Sequence, residues 1–166
     1  MSARQVRVAI LNVGDVADEE DRLTGVLKVV HDLLGAGPFQ EVDYHVSPSE
    51  QALLRARLRV WSELQSNQSA DLILTFGGVG MAVRERMPEA TAEVVDRHLP
   101  GLPELIRLAC VRAHPWVAFL RLEAGVRNNT VIINLPGDPE CLRLALPHVL
   151  GAAPRAIRQL QAAPAS

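Results

Sequence analysis

Lysine is almost absent from this chain: of 17 basic residues only Lys28 is a lysine, and the rest are arginine. No function follows from that bias, although arginine suits bidentate phosphate contacts better than lysine does. Excess charge is lacking too. A formal net charge of −2 gives no electrostatic case for nucleic acid as the main partner. Cysteine is scarce, and Cys110 and Cys141 show neither CxxC spacing nor a neighbouring histidine cluster. Two reduced, partly buried thiols in a cytosolic protein are expected. No apolar stretch reaches membrane-spanning length. The basic start runs into Val6–Val13, which Arg7 and Asn12 interrupt, so it reads as a first strand and not as a signal peptide. A cytoplasmic protein with no membrane partner is the expectation. The five histidines (His31, His45, His98, His114, His148) have no metal-ligand spacing, and there is no Ser-His-Asp set or G-x-S-x-G elbow. Nucleophilic hydrolysis therefore has no support.

What the chain does have is apolar material in short runs. With 166 residues, 48% of them hydrophobic, it is long enough for one globular domain with its own core. Residues 1–161 read as that domain and 162–166 as a frayed tail. Buried strands are expected at Arg7–Val13, Asp43–Val46, Asp71–Phe76 and Thr130–Leu135, with Val117–Leu122 as a further short strand. Helical periodicity occupies Thr24–Leu34, Ser49–Gln65, Glu89–His98, Glu104–Ala113, Glu140–Leu150 and Pro154–Gln161. Strands alternating with helices predict an α/β fold with a parallel sheet covered on both faces. Two helix starts stand out. Ser47-Pro48-Ser49-Glu50 reads as a capping box with proline at the first helical position, and Asp138-Pro139-Glu140 repeats the cap-plus-proline order.

Two glycine-bearing loops each follow an apolar strand. Leu72–Phe76 runs into Gly77-Gly78-Val79-Gly80, and Val131–Leu135 runs into Pro136-Gly137-Asp138-Pro139. In a parallel sheet both loops sit at strand carboxyl ends, where small anionic ligands collect. Glycine lets backbone N–H groups approach a phosphate closely. No Gly-Lys-Ser/Thr follows the first loop, so it is not a Walker A sequence, and a tight strand-to-helix turn explains it about as well. Arg84 and Glu85, just beyond it, would bind a phosphate and a divalent metal respectively; solvated loop charges are the commoner fate of such a pair. Asp138 can cap the following helix with no ligand involved. The acidic run from Asp15 through Asp18-Glu19-Glu20-Asp21 could hold Mg²⁺, though an exposed acidic loop explains it equally. Thr24-Gly25 then starts a helix whose amides offer another anion site.

Taken in order, Leu74–Gly80, Arg84–Thr91, Pro100–Arg107, Arg121–Arg127 and Ile133–Pro139 resemble the MoaB/Mog family of molybdenum cofactor biosynthesis proteins. The resemblance spans roughly Val6 to Leu150. It implies a three-layer, doubly wound, mostly parallel α/β domain, usually a homotrimer, that binds molybdopterin. Catalytic members transfer AMP from Mg-ATP to molybdopterin, which makes ATP and molybdopterin the partners here. By the same resemblance Thr75, Gly77, Gly78 and Gly80 would be cofactor-binding, the three glycines through backbone amides. Glu104, Arg121, Gly125 and Pro136-Gly137-Asp138 would line the pterin side, with Arg84 and Arg121 offsetting phosphate charge. Glu85 would be the catalytic, metal-side carboxylate, helped by Asp15 or Asp21.

The chain departs from the family pattern at several polar positions. Val79 stands for a threonine, Glu85 for an aspartate and Met87 for a helix-capping threonine. Ser49 falls on an acidic position, and Leu120 and Asp138 each replace a serine. Arg22-Leu23-Thr24-Gly25 aligns with an Asp-x-Ser-Gly, leaving Asp21 one position away from the aspartate. Side chains that align phosphates act together, so two readings stay open: an adenylyltransferase, and a non-catalytic binding or scaffold member with a degenerate site.

Overall fold

The segments Val6–Val13, Leu72–Phe76 and Thr130–Leu135 form the centre of one sheet, where each hides both of its faces, and Phe39–Ser47, half-buried or exposed along most of its length, lies at the edge. The computed structural model describes residues 4–14 and 20–163. The chain runs through β1 (Val6–Val13), α1 (Glu20–Gly35), β2 (Phe39–Ser47), α2 (Gln51–Trp61), β3 (Leu72–Phe76) and α3 (Met87–Val94). It continues through β4 (Arg97–His98), α4 (Gly101–Cys110), a 3₁₀ turn at Pro115–Phe119, β5 (Ala124–Arg127), β6 (Thr130–Leu135) and α5 (Pro139–Ala162). The strand order is β2-β1-β3-β6-β5-β4. β2, β1, β3 and β6 run parallel, while β5 and β4 join antiparallel at one edge. Every residue of β3 and β6 is buried, as expected of strands covered above and below.

The direction of winding fixes the helix layers. From β1 the chain crosses to β2 on one side, then returns over β1 to β3 and moves on to β6. Right-handed crossovers therefore put α1 and α2 on opposite faces. Accordingly α1 and α4 both pack on α5, while α2 packs on α3. The expected three-layer, mostly parallel α/β architecture is present. Among the described residues no helix is long and apolar enough to cross a membrane.

Local expectations fail at five places. The helix expected to start at Thr24-Gly25 begins at Glu20, so that pair lies within α1 and is not its amide-bearing start. Ser47 is not an N-cap: it ends β2 paired with Val13, and α2 starts later behind Glu50 with no side-chain cap. Sheet pairing outcompetes the capping box there. The helix expected through His98 stops at Val94, because Arg97 and His98 pair with Val126 and Gly125. Val117–Leu122 is not a strand, since Pro115 opens a 3₁₀ turn that buries Val117. The two C-terminal helices are one, α5, which reaches Ala162 despite Pro147 and Pro154. A proline removes one helical hydrogen bond. The buried stripe of α5, from Cys141 through Leu146 and Val149 to Ile157, holds the helix together across both prolines. The Asp138 cap is as expected: its Oδ1 accepts the Cys141 N–H at 3.0 Å.

One polar knot lies under the centre of the sheet. Asn134 on β6 donates through Nδ2 to the hydroxyls of Thr75 (3.0 Å) and Thr91 (2.8 Å), and its Oδ1 accepts the Glu123 N–H (3.2 Å). Each partner is satisfied, which is what a buried amide requires.

Cys110 and Cys141 are free and buried, and the Cys110 thiol donates to the Cys141 carbonyl at 3.4 Å. Burial, with the neighbouring Cys110 and Asp138, pushes the Cys141 thiol from 9.0 up to about 12. The folded chain thus keeps a proton that the unfolded chain releases above pH 9, so stability falls as pH rises through that range. Urea unfolding followed across the alkaline range should show the decline. The double variant Cys110→Ala/Cys141→Ala should flatten it, and an unchanged slope would remove the thiols as its cause.

Candidate functional site

The winding reverses between β1 and β3, so the chain leaves these neighbouring strands in opposite directions and a crevice opens at their carboxyl ends. A cavity of about 370 Å³ lies there. Asn12 and Val13 at the end of β1, Phe76 at the end of β3, the Gly77–Gly80 loop, and Gly137-Asp138 after β6 all line it. The two glycine loops noted in the sequence therefore meet at one site.

They meet through close contacts that favour glycine. Gly77 and Gly78 have φ of 85° and 68°, in the left-handed region that L side chains rarely adopt. A Cβ on Gly77 would fall 2.5 Å from the Val13 carbonyl oxygen, and one on Gly137 would fall 3.2 Å from the Gly77 Cα. Beyond these residues the chain folds back on itself. The Glu85 carboxylate accepts the Gly80 N–H at 3.0 Å through Oε1 and the Ala82 N–H at 3.1 Å through Oε2. The Gly77 N–H donates to the Leu135 carbonyl at 3.3 Å. The amides of Gly77 and Gly80, expected to face a phosphate, are thus engaged within the fold. Those of Gly78 and Val79 have no partner among the described residues.

Arg121 clamps this loop from the other side. Its Nε donates to the Gly80 carbonyl at 2.8 Å, a second guanidinium nitrogen donates to the Glu85 carbonyl at 2.6 Å, and the third donates to the Glu89 carboxylate. The Arg121 N–H also donates to the Val79 carbonyl at 2.8 Å. Burial pushes the Glu89 carboxyl up, but the hydrogen bonds and charges of Arg121 and Arg86 outweigh it and hold Glu89 below its ordinary value. The other Glu89 oxygen is buried without a hydrogen-bond partner. Ser49 adds a tie from the β2–α2 connection, its hydroxyl accepting the Arg86 N–H at 2.9 Å.

The residues singled out by sequence separate into three groups. Gly77, Gly78, Gly80, Glu85, Gly137 and Asp138 line the cavity. Arg121 and Thr75 lie behind it: Thr75 is fully buried in the Asn134 network, and Arg121 is spent on the loop. Arg84 and Glu104 are exposed, Pro136 is buried, Gly125 sits in β5 against β4, and none of them lines the cavity. Asp15 lies outside the described residues, and Asp21 belongs to α1 with its side chain outside them. Among the described residues no cluster of three or more His, Cys, Asp or Glu side chains could hold a metal ion.

Several lining residues carried no signal as site residues in the sequence. Asn12 is a buried amide whose Nδ2 donates to the Tyr44 hydroxyl at 2.9 Å. It was visible only as a polar interruption of an apolar strand. Val26, Phe76 and Trp116 line the cavity as well, and no local pattern marks them. Leu120 and Val79, noted as departures from the family pattern, both face it.

The family described as "Probable molybdopterin binding domain" matches residues 9–155. The molybdopterin adenylyltransferase of Helicobacter pylori strain J99 is 32% identical over 155 residues, 90% of this chain and 84% of that protein. The molybdopterin adenylyltransferase of Escherichia coli K12 is 36% identical over 115 residues, 69% of this chain and 57% of that protein. The crystal structure of the molybdopterin biosynthesis enzyme MoaB from Thermus thermophilus superposes with a TM-score of 0.84 at 40% identity, covering 98% of this chain and 100% of that one.

Because a Gly80 Cβ would fall 2.2 Å from Glu85 Oε2, Gly80→Ala should expel the carboxylate and unlatch the loop. Arg121→Met should do so from the other side, costing about 2 kcal/mol as charged hydrogen bonds are lost. Hydrogen exchange at Gly80 and Ala82 measures both effects. Protection unchanged in either variant contradicts the latch.

Proposed function

Since the chain belongs to the molybdenum cofactor biosynthesis family of molybdopterin-binding domains, we propose that it is a molybdopterin adenylyltransferase. An oxygen of the molybdopterin phosphate attacks the α-phosphorus of ATP, and the bond to pyrophosphate breaks as AMP is transferred. The observation that carries this reading is the meeting of the Gly77–Gly80 and Gly137-Asp138 loops beside one cavity at the switch point. The amides of Gly78 and Val79 would orient a phosphate, and holding reactants in line is the larger part of such catalysis.

The charge of the cavity supports one way for a nucleotide to arrive. Glu85 and Asp138 line it, and no arginine or lysine does among the described residues. A polyphosphate entering alone would meet like charge, so ATP would come as its Mg²⁺ complex. Glu85 and Asp138 would hold the ion, which neutralises the phosphates as pyrophosphate leaves. Glu85 would then serve twice, as the latch of the loop and as the metal-side carboxylate. We read the protein as cytoplasmic and residues 1–161 as one domain. We also read it as a homotrimer, as the family resemblance implies; Met81, Val83, Leu108 and Phe119 are large apolar side chains left exposed, and an assembly would cover them.

A second reading is favoured by the apolar side chains of Val79 and Leu120 facing the cavity where hydroxyl donors would align a phosphate. It is a non-catalytic member that binds molybdopterin or a nucleotide, or scaffolds an oligomer. Pyrophosphate release and adenylylated product from purified protein, molybdopterin and Mg-ATP separate the two. Turnover supports the enzyme, and Glu85→Ala should then abolish it; an unchanged rate in that variant would sink the role of Glu85. Molybdopterin binding with no turnover would establish the second reading.

A further inference from the structure

The two tryptophans of this chain are treated very differently by the fold. Trp61 is 0% exposed, its Nε1–H donates to Asp43 Oδ2 at 2.9 Å, and Arg57 lies 5.4 Å from its ring centre. Trp116 is 45% exposed, and its indole nitrogen has no hydrogen-bond partner among the described residues. An indole gains more from burial than almost any other side chain, so packing does not explain one left open in this way.

Its place is nevertheless set by the turn that carries it. Trp116 follows Pro115 in the 3₁₀ turn, and its ring meets His114 edge-on, centres 6.3 Å apart at 66°. His114 is fixed in turn: its N–H donates to the Cys110 carbonyl at 2.8 Å, and its Nε2 lies 3.4 Å from Glu140 in the first turn of α5. The fold therefore holds a half-exposed aromatic surface at the wall of the cavity.

That cavity joins two chemistries. One part is backbone amide and carboxylate, from the glycine loops, Glu85 and Asp138; the other is apolar, from Trp116, Leu120 and Val26. A ligand complementary to both carries a phosphate on a flat, apolar-faced ring. We propose that Trp116 is the platform on which the planar heteroaromatic ring of the phosphorylated ligand stacks, and that it sets the preference for ring-bearing over ring-free phosphates. The inference rests on the reading given under Proposed function. The purine of a nucleotide and the pterin of molybdopterin share the required ring chemistry, and binding distinguishes them.

The full-length protein is titrated with Mg-ATP, with a pterin monophosphate and with inorganic pyrophosphate, following tryptophan emission and calorimetric affinity. Trp61 is sealed in the core, so a ligand-dependent change in emission that disappears in Trp116→Phe reports Trp116. At least one ring-bearing ligand should quench emission, and Trp116→Ala should weaken that ligand roughly tenfold or more, as loss of a base–aromatic stack does. Pyrophosphate affinity should stay unchanged, and Trp116→Phe should restore most of the loss. Whichever ring-bearing ligand loses affinity identifies the ring that stacks. Equal weakening of all three ligands, or no weakening of either ring-bearing one, overturns the platform. Emission that changes on protein dilution but not with ligand assigns the indole to a contact between copies and overturns it as well. No binding of any probe to the unaltered protein defeats both this inference and the proposed function. The expected binding pattern without turnover defeats only the adenylyl-transfer reading.

Discussion

The guanidinium of Arg121 is the point on which the site depends. It bonds the Gly80 carbonyl, the Glu85 carbonyl and the Glu89 carboxylate together, while the Glu85 side chain closes the same loop from within. A loop whose amides are left partly unpartnered needs such ties, and without them it would be an ensemble. Here the support is charged, directional and partly buried, which makes such bonds stronger than their neutral counterparts. The arginine therefore engages the loop's carbonyls, while the amides of Gly78 and Val79 are left without a partner among the described residues.

The same arrangement explains how a cavity lined by carboxylates can belong to a family of molybdopterin-binding domains. Its positive partial charge comes from the backbone, at Gly78 and Val79, and not from side chains. Asp138 is committed to the first turn of α5 and Glu85 to the loop amides, so each carboxylate is partly neutralised where it stands. The cationic side chains near the loop are placed otherwise: Arg84 is exposed, and Arg121 faces the loop from behind. Such a site favours a ligand that brings its own cation.

Much of the fold was legible because β1, β3 and β6 are buried on both faces and leave largely apolar runs. β4 and β5 were not legible. They are two and four residues long, too short for any period, and they exist only through pairing with β6 and with each other. Ser47 misled because sheet pairing is decided by the partner strand, and Pro154 because a buried helical stripe tolerates a proline. In the site, the glycine loops were readable since glycine marks positions where a side chain would collide. The role of Arg121 was not, because its side-chain partners lie 32 to 41 residues away in the chain and only the closed fold brings them together. Trp116 and Asn12 were hidden for the same reason.

The central claim is that the ligand's phosphate lies against the amides between the two glycine loops. Backbone amide resonances measured on isotope-labelled protein during titration with molybdopterin test it most directly. The account predicts that the large shifts fall on Gly78, Val79 and Gly137, with smaller ones at Gly80. Shifts centred instead on the second, polar cavity at the opposite sheet end, lined by Ser62, Asp71 and Thr130, would contradict it.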